Sequence, residues 1–245
     1  MTDAPGIQDH RTPTAHPAAV LLDVLIVFAA SGVAFLLEDL AIARGWMPFA
    51  TEARGASAVV AGALAAVAVV LARGGSLADL GFRRPQRWAA VPLQVAAILV
   101  AFVAGSLLLP LLISLFVELP EPDLTRYASV AGNLGGAIGL ALVLPLTASI
   151  PEEIIYRGFL IGRLSDLFGR HRRGAVMAVL VQALVFSAVH YQWGIGGVVM
   201  TLVMGIVWGT AYLLCGRNLW VVILAHSAGH ILFVVQLYLA EPIAA

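Results

Sequence analysis

The sequence predicts an all-α fold, a polytopic transmembrane helix bundle of about seven to eight helices. Of the 245 residues, 61% are hydrophobic and only 11% are charged, and the mean hydropathy is +0.96. A soluble domain has about 25% charged residues and about 45–50% apolar ones. We therefore expect an integral membrane protein with short connections. The net charge of zero gives no indication of a nucleic-acid partner.

The order of polar and apolar segments predicts the helices one by one. Residues 1–17 are polar and contain three prolines, so we expect a disordered cytoplasmic tail followed by a single transmembrane domain over 18–245. The run 18–37 is longer than a signal-peptide core and no small-residue cleavage site follows it, which indicates an uncleaved first span. Further apolar segments are predicted at 56–72, 89–117, 127–150, 174–190, 195–215 and 219–239, and a helical piece at 151–169 continues the fourth.

Charged connections predict the orientation of the spans. The connections 73–88 and 163–173 each contain four arginines, whereas the connection 118–126 is acidic. The positive-inside rule then places the N-terminus and both arginine-rich connections in the cytoplasm, and the C-terminus outside. We predict a protein of the bacterial cytoplasmic membrane. Within the first of these connections, Ser76 and Asp79 suggest a capped, short helix at the cytoplasmic interface.

Five ionisable residues lie inside segments that otherwise resemble membrane helices: Glu152, Glu153, His190, His226 and His230. Because ionisable groups in a bilayer are costly, each is a functional-site candidate. Taken singly, a histidine on an apolar face is usually a packing residue. Three of them together with a glutamate favour proton-handling chemistry or a metal site.

Spacing along the chain predicts that two of these groups meet. Glu152 lies 19 residues before His171, and His190 lies 19 residues after it. In an antiparallel hairpin turning at His171, both side chains would lie roughly 28 Å from the turn. His226 and His230 follow Arg217 by 9 and 13 residues, or about 14–20 Å along a helix. A common site in the cytoplasmic half of the membrane would accommodate all four side chains.

Helical phase separates the two adjacent acids. Glu153 and Arg157 are i,i+4 neighbours and are expected to form an ion pair along one helix face. Glu152 points about 100° away and is left free for reaction. The alternative is that both acids form the capped first turn of a helix that starts after Pro151.

Three ordered motifs resemble those of a known family: EExxxR at 152–157, FxxxH at 186–190, and a histidine pair at 226–230 in the place of HxxxN or HxxxD. The chain is similar to the CAAX-processing and bacteriocin-processing (CPBP, Abi) family of intramembrane proteases. The resemblance covers about 76–235, and we place the catalytic core in 127–239.

The resemblance implies roles for these residues. Glu152 and His190 would activate a water that attacks a peptide carbonyl, and His226 with His230 would stabilise the oxyanion. Glu153, Arg157 and Phe186 would support the site. No HExxH, GxGD or GxSxG motif of other intramembrane protease types is present.

One residue departs from the family pattern, because His230 stands where Asn or Asp is usual. A neutral histidine can still donate a hydrogen bond to developing negative charge. A glutamate and three imidazoles would also suit zinc, which commonly takes three protein ligands and a water. Zinc with ligands from Glu152, His190, His226 and His230 is therefore an open alternative to a metal-free mechanism.

The sequence therefore predicts an intramembrane endopeptidase acting on a peptide or protein substrate within the lipid bilayer. Two alternatives remain: a catalytically inactive immunity or scaffold membrane protein, and a proton-coupled transporter using the same groups. Against the transporter, no inverted repeat is visible between the two halves of the chain.

Overall fold

The computed structural model describes residues 16–46 and 54–240, which form helices and no strand. The first 15 residues of the predicted tail lie outside this part. The helices are numbered in chain order: α1 (Pro17–Ala43), α2 (Ala56–Ala72), α3 (Val91–Ser114), α4 (Leu134–Phe168), α5 (Arg172–Ala188), α6 (Gly194–Leu214) and α7 (Leu219–Leu239). Short 3₁₀ helices occur at Trp88–Ala90, Thr125–Val130 and Tyr191–Trp193. The predicted all-α bundle is confirmed.

Five helical segments of the described chain are long and apolar enough to cross a membrane: Pro17–Ala43, Trp88–Ser114, Leu134–Phe168, Tyr191–Leu214 and Leu219–Leu239. The remaining helices, α2 and α5, have 17 residues each, a length of about 25 Å. The chain is an integral membrane protein by this measure. Seven helices agree with the predicted number of segments.

Three local expectations differ from the structure. Helix α4 begins at Leu134, because the side chain of Asn133 caps it by accepting a hydrogen bond from the Gly136 amide. Helix α5 ends at Ala188, so His190 lies in the following turn. The predicted interfacial helix over 76–87 is instead an irregular turn, closed by Gly81 at a φ of +100°.

The connections divide the bundle into two ends. The α2–α3, α4–α5 and α6–α7 connections meet at one end, where the Leu219 amide donates to the Gly81 carbonyl at 2.8 Å. Nine of the fourteen arginines lie at or near this arginine-rich end: Arg73, Arg83, Arg84, Arg87, Arg163, Arg170, Arg172, Arg173 and Arg217. The other connections meet at the acidic end, where the Gly132 amide donates to the Tyr238 carbonyl at 3.0 Å.

Two buried acids of α1, which the sequence analysis did not single out, fasten this helix at both ends. Asp23 is 3% exposed and pairs with Arg73 at 2.7 Å and with Arg163 at 3.1 Å. Glu38 accepts hydrogen bonds from the Gly55 amide and the Ser57 hydroxyl at the acidic end. Buried acids are retained where they are paired, so these two contacts fix α1 against α2 and α4.

The interior of the bundle is closely packed around α5 and α6. A Cβ atom on Gly205 would lie 2.7 Å from the Ala183 Cα atom, so only glycine permits this approach of the two helices. Trp208 of α6 and Phe186 of α5 are both completely buried. This packing sets the position of the residues that follow α5, including His190.

Candidate functional site

Helix α4 is distorted where it carries the two acids. Its backbone forms π-helical turns at Pro145–Ser149 and at Glu153–Leu160, separated by the short α-helical stretch Ile150–Glu152. Such turns place an extra residue in the helix and occur often at functional sites. Glu152 lies near the middle of α4, well away from both ends of the bundle.

The second acid belongs to a completely buried network. The Arg157 guanidinium donates to Glu153 Oε1 at 2.9 Å, and both side chains are 0% exposed. His226 Nδ1 lies 2.8 Å from the same oxygen, which joins α7 to α4. The predicted i,i+4 ion pair is therefore present, and a histidine contact that the sequence analysis missed completes it.

Phe186 supports this network from α5. The Arg157 guanidinium lies 4.7 Å from the Phe186 ring centroid, a cation–π contact. The Tyr156 ring packs edge-on against Phe186 with centroids 4.9 Å apart. On its other side, Phe186 contacts the His190 ring at 4.7 Å. The two residues of the FxxxH motif are therefore in contact, although His190 lies just beyond the helix.

Glu152 is held differently from its neighbour. Its carboxylate makes no hydrogen bond to any described residue, and its nearest ionisable contact is His226 Nε2, 3.8 Å from Oε2. The Glu152 side chain is 11% exposed. A separation of this size exceeds a direct hydrogen bond and leaves the carboxylate available to a third group.

Hydrogen bonds to the Nδ1 atoms assign the histidine tautomers. His190 Nδ1 lies 2.7 Å from the Phe186 carbonyl oxygen, and His226 Nδ1 lies against the Glu153 carboxylate. Since both partners only accept, each Nδ1 carries the hydrogen and each neutral ring keeps a lone pair on Nε2. His230 differs, because its Nδ1 is 2.8 Å from the Ser149 hydroxyl, which can donate to it.

Ser149 is a residue that the sequence analysis missed. It is completely buried and lies three residues before Glu152, on the same side of α4. This spacing was a usable signal, because a hydroxyl one turn from a membrane-buried acid is placed to contact the same groups. If the Ser149 hydroxyl donates to His230 Nδ1, the hydrogen of the His230 ring lies on Nε2.

All four predicted site residues line one cavity of about 900 Å³. Glu152 and His226 are buried, whereas His190 and His230 are partly exposed. Most of the exposed lining residues belong to the three connections of the acidic end, among them Arg54, Asp123, Thr125, Tyr191 and Gln192, whereas Gly32 lies within α1. These residues place an opening of the cavity at the acidic end.

The donor atoms of the cavity do not form a ligand set for a metal. Within residues 16–46 and 54–240, no three His, Cys, Asp or Glu side chains are placed to hold one ion. Hydrogen bonds engage the Nδ1 atoms of His190, His226 and His230, so Nε2 is the atom that each ring could offer to a metal. The four candidate ligands do not fit a zinc site in this arrangement, and a metal requirement stays a prediction for metal analysis of the purified protein.

The remaining histidines of the described chain lie outside the cavity. His16 and His171 are exposed, and each accepts a backbone hydrogen bond at the start of a helix. His10 lies outside the described residues. Cys215 is a free thiol at the end of α6.

The fold and this cavity define a class: a polytopic integral membrane protein whose helices enclose a carboxylate and three imidazoles. Residues 134–232 match the family model described as type II CAAX prenyl endopeptidase Rce1-like. This match agrees with the resemblance to the CAAX-processing and bacteriocin-processing family that the three motifs had predicted, and the matched range includes all of them. Comparison with curated proteins found no match, and comparison with solved structures found none.

Proposed function

We propose that the protein is an intramembrane endopeptidase that hydrolyses a peptide bond with a water molecule activated by Glu152. One observation supports this most directly: two adjacent acids have different environments. Glu153 is fixed by Arg157 and His226, whereas the Glu152 carboxylate faces an open cavity 3.8 Å from His226 Nε2. A water between these two groups can hydrogen-bond to both.

The reaction follows from these positions. The water oxygen attacks the carbonyl carbon, and its proton passes to Glu152 or to the Nε2 lone pair of His226. The tetrahedral intermediate then collapses, the C–N bond breaks, and the same group returns the proton to the leaving amine. His190, whose Nε2 also keeps a lone pair, accepts a hydrogen bond from the attacking water or the substrate amide.

The tautomers change one role that the resemblance implied. With its hydrogen on Nδ1, neutral His226 offers a lone pair and not a donor to the cavity. Glu153 supports it as a carboxylate supports a catalytic histidine, and we assign His226 to proton transfer. The donor to the oxyanion is then His230, through Nε2–H, since the Ser149 hydroxyl can donate to its Nδ1.

The cavity also suggests the kind of substrate. Phe28, Phe35, Val189, Trp193 and Phe233 line its walls, so an apolar peptide segment fits better than a charged one. Its mouth lies at the acidic end. Under the positive-inside rule the arginine-rich end and the N-terminus are cytoplasmic, which makes the mouth extracytoplasmic. We therefore propose a substrate reached from the outer face of a bacterial cytoplasmic membrane.

Replacing the free acid tests the proposed chemistry. Glu152→Gln and His190→Ala are expected to lower peptide release by about 10²–10⁴-fold, because the first removes a proton-transfer group and the second removes a hydrogen-bond acceptor for the attacking water. Peptide fragments from membranes containing wild-type or variant protein would be compared by mass spectrometry. Glu118→Gln and His171→Ala are matched controls, since both residues are exposed and outside the cavity.

Unchanged fragments in both variants would reject the peptidase. A scaffold would keep its biological effect in these variants without any change in cleavage. A transporter would show proton-coupled flux in sealed vesicles and no proteolysis.

Two substitutions at one position test the oxyanion donor. His230→Asn is expected to retain activity within about tenfold, because its amide N–H can still donate, whereas His230→Leu is expected to lose about 10²–10³ in kcat. KM should change little in either variant. Release of a fragment identified in the preceding comparison provides the assay. Equal losses in both variants would contradict a donor role for His230.

Cysteine labelling tests the orientation of the cavity mouth. In a Cys215→Ser background, Gln192→Cys is expected to react with a membrane-impermeant thiol reagent added to intact bacterial cells. Arg87→Cys, at the opposite end, is expected to react only after the cells are opened. Both positions are exposed. The reverse pattern would place the mouth in the cytoplasm.

A further inference from the structure

A second cleft lies at the arginine-rich end, far from the cavity that contains Glu152. It has a volume of about 240 Å³ and lies between the turn after α2, the last part of α4 and the α6–α7 turn. Its guanidinium groups come from Arg73, Arg83, Arg163, Arg170 and Arg217. The proposed peptidase chemistry uses none of them.

The charges of this cleft do not balance. Asp79 and Asp166 line it. Asp23, which does not line the cleft, pairs with Arg73 and Arg163. Five guanidinium groups against three carboxylates leave a net charge of +2. Hydrogen bonds from the amide and hydroxyl of Ser76 lower the pKa of Asp79. This carboxylate is therefore ionised at neutral pH and contributes one of the three negative charges.

Two of the five arginines have no carboxylate partner among the described residues. The Arg83 Nε atom donates to the Ala78 carbonyl at 2.7 Å, and Arg217 Nη2 donates to the Ser165 hydroxyl at 3.0 Å. Burial lowers the pKa of Arg217, and the charges of Arg170 and Arg83 act in the same direction, whereas Tyr212 and Asp166 act in the opposite direction. An anion in the cleft would offset both the cost of burying the Arg217 charge and its repulsion by the neighbouring arginines.

The backbone of Arg217 gives an independent reason to regard its side chain as functional. Its φ is +58°, the left-handed region, and no other non-glycine residue of the described chain has a positive φ. Asn and Gly adopt this conformation more readily, and a turn between two helices usually places one of them there. A strained residue at such a position is a reason to ask what its side chain does.

Apolar side chains place the cleft at the level of lipid headgroups. Leu77, Trp88 and Trp220 are 48%, 51% and 40% exposed and belong to the segments that flank the cleft. Tryptophans in such positions mark the membrane interface. Arginine forks match the oxygens of phosphate groups, often through paired hydrogen bonds.

We propose that this cleft binds a phosphate group, and that its source is the headgroup of a membrane phospholipid whose chains lie beside Trp88 and Trp220. Arg83 and Arg217 contact the phosphate, and the arginines paired with Asp23 and Asp166 set the surrounding potential. The site lies at the end of the bundle opposite the mouth of the large cavity, so its occupant is not the peptide substrate.

Thermal unfolding of the full chain in neutral detergent tests the proposal. Short-chain phosphatidylglycerol is expected to raise the unfolding temperature of the wild type by about 3–5 °C at tenfold excess over its half-saturating concentration. Short-chain phosphatidylcholine, which has a phosphate but no net charge, should give a smaller shift. Inorganic phosphate forms the third arm and is expected to act only at much higher concentration.

Variants identify the site. Arg217→Asn removes the guanidinium and suits the left-handed backbone, so the protein should still fold. The apparent affinity for phosphatidylglycerol, read from the lipid concentration that gives half of the shift in unfolding temperature, should fall at least about tenfold. Arg83→Gln is a second variant with the same expectation. Arg87→Gln removes an exposed arginine of the same connection that does not line the cleft and should behave as wild type.

The three ligands distinguish a phospholipid headgroup from a soluble phosphate as the occupant of the cleft. A larger shift with phosphatidylglycerol than with inorganic phosphate supports a lipid, and equal shifts support a phosphate site for a soluble ligand. If none of the three ligands shifts the unfolding temperature, the proposal is overturned. It is also overturned if the shift persists in both Arg217→Asn and Arg83→Gln, or if Arg87→Gln loses it equally.

Discussion

The arrangement of the site depends on one requirement, that the charge of Arg157 be compensated inside the bundle. An arginine with no exposed surface must be paired, because an isolated buried ion costs several kcal/mol. Glu153 supplies the charge, and Phe186 supplies a ring face. Since these partners come from α4 and α5, satisfying the arginine also fixes the position of one helix against the other.

The same requirement separates the two acids. Glu153 has its Oε1 engaged by Arg157 and by His226, so it orients an imidazole and does not face the cavity. Glu152 points about 100° away from Glu153 around the helix axis, and its carboxylate accepts no hydrogen bond from a described residue. A single EE pair thus gives one acid to the structure and one to the proposed chemistry. The family match to residues 134–232 includes both acids and the three histidines.

The apolar runs predicted the helices well, because long hydrophobic segments have few alternatives in a membrane chain. The Glu153–Arg157 and Phe186–His190 pairs were predictable from helical periodicity alone. The bond between His226 and Glu153 was not, because it joins residues 73 positions apart and depends on how α7 is rotated. The predicted interfacial helix over 76–87 was wrong because Leu80 is buried against Gly158, so this part of the chain packs into the bundle and does not lie along its surface. Asp23 could have been found, because an acid in an apolar run was the same signal that selected Glu152.

A double-mutant cycle on Glu153→Gln and Arg157→Met measures the central interaction most directly. The free energy of unfolding of the wild type, both single variants and the double variant would be determined in one detergent. Each single variant is expected to cost about 3–5 kcal/mol, since it leaves an unpaired group in the interior. The account predicts a coupling energy of about 2 kcal/mol or more. Effects that add to within about 0.5 kcal/mol would show that the two side chains do not interact and would contradict it.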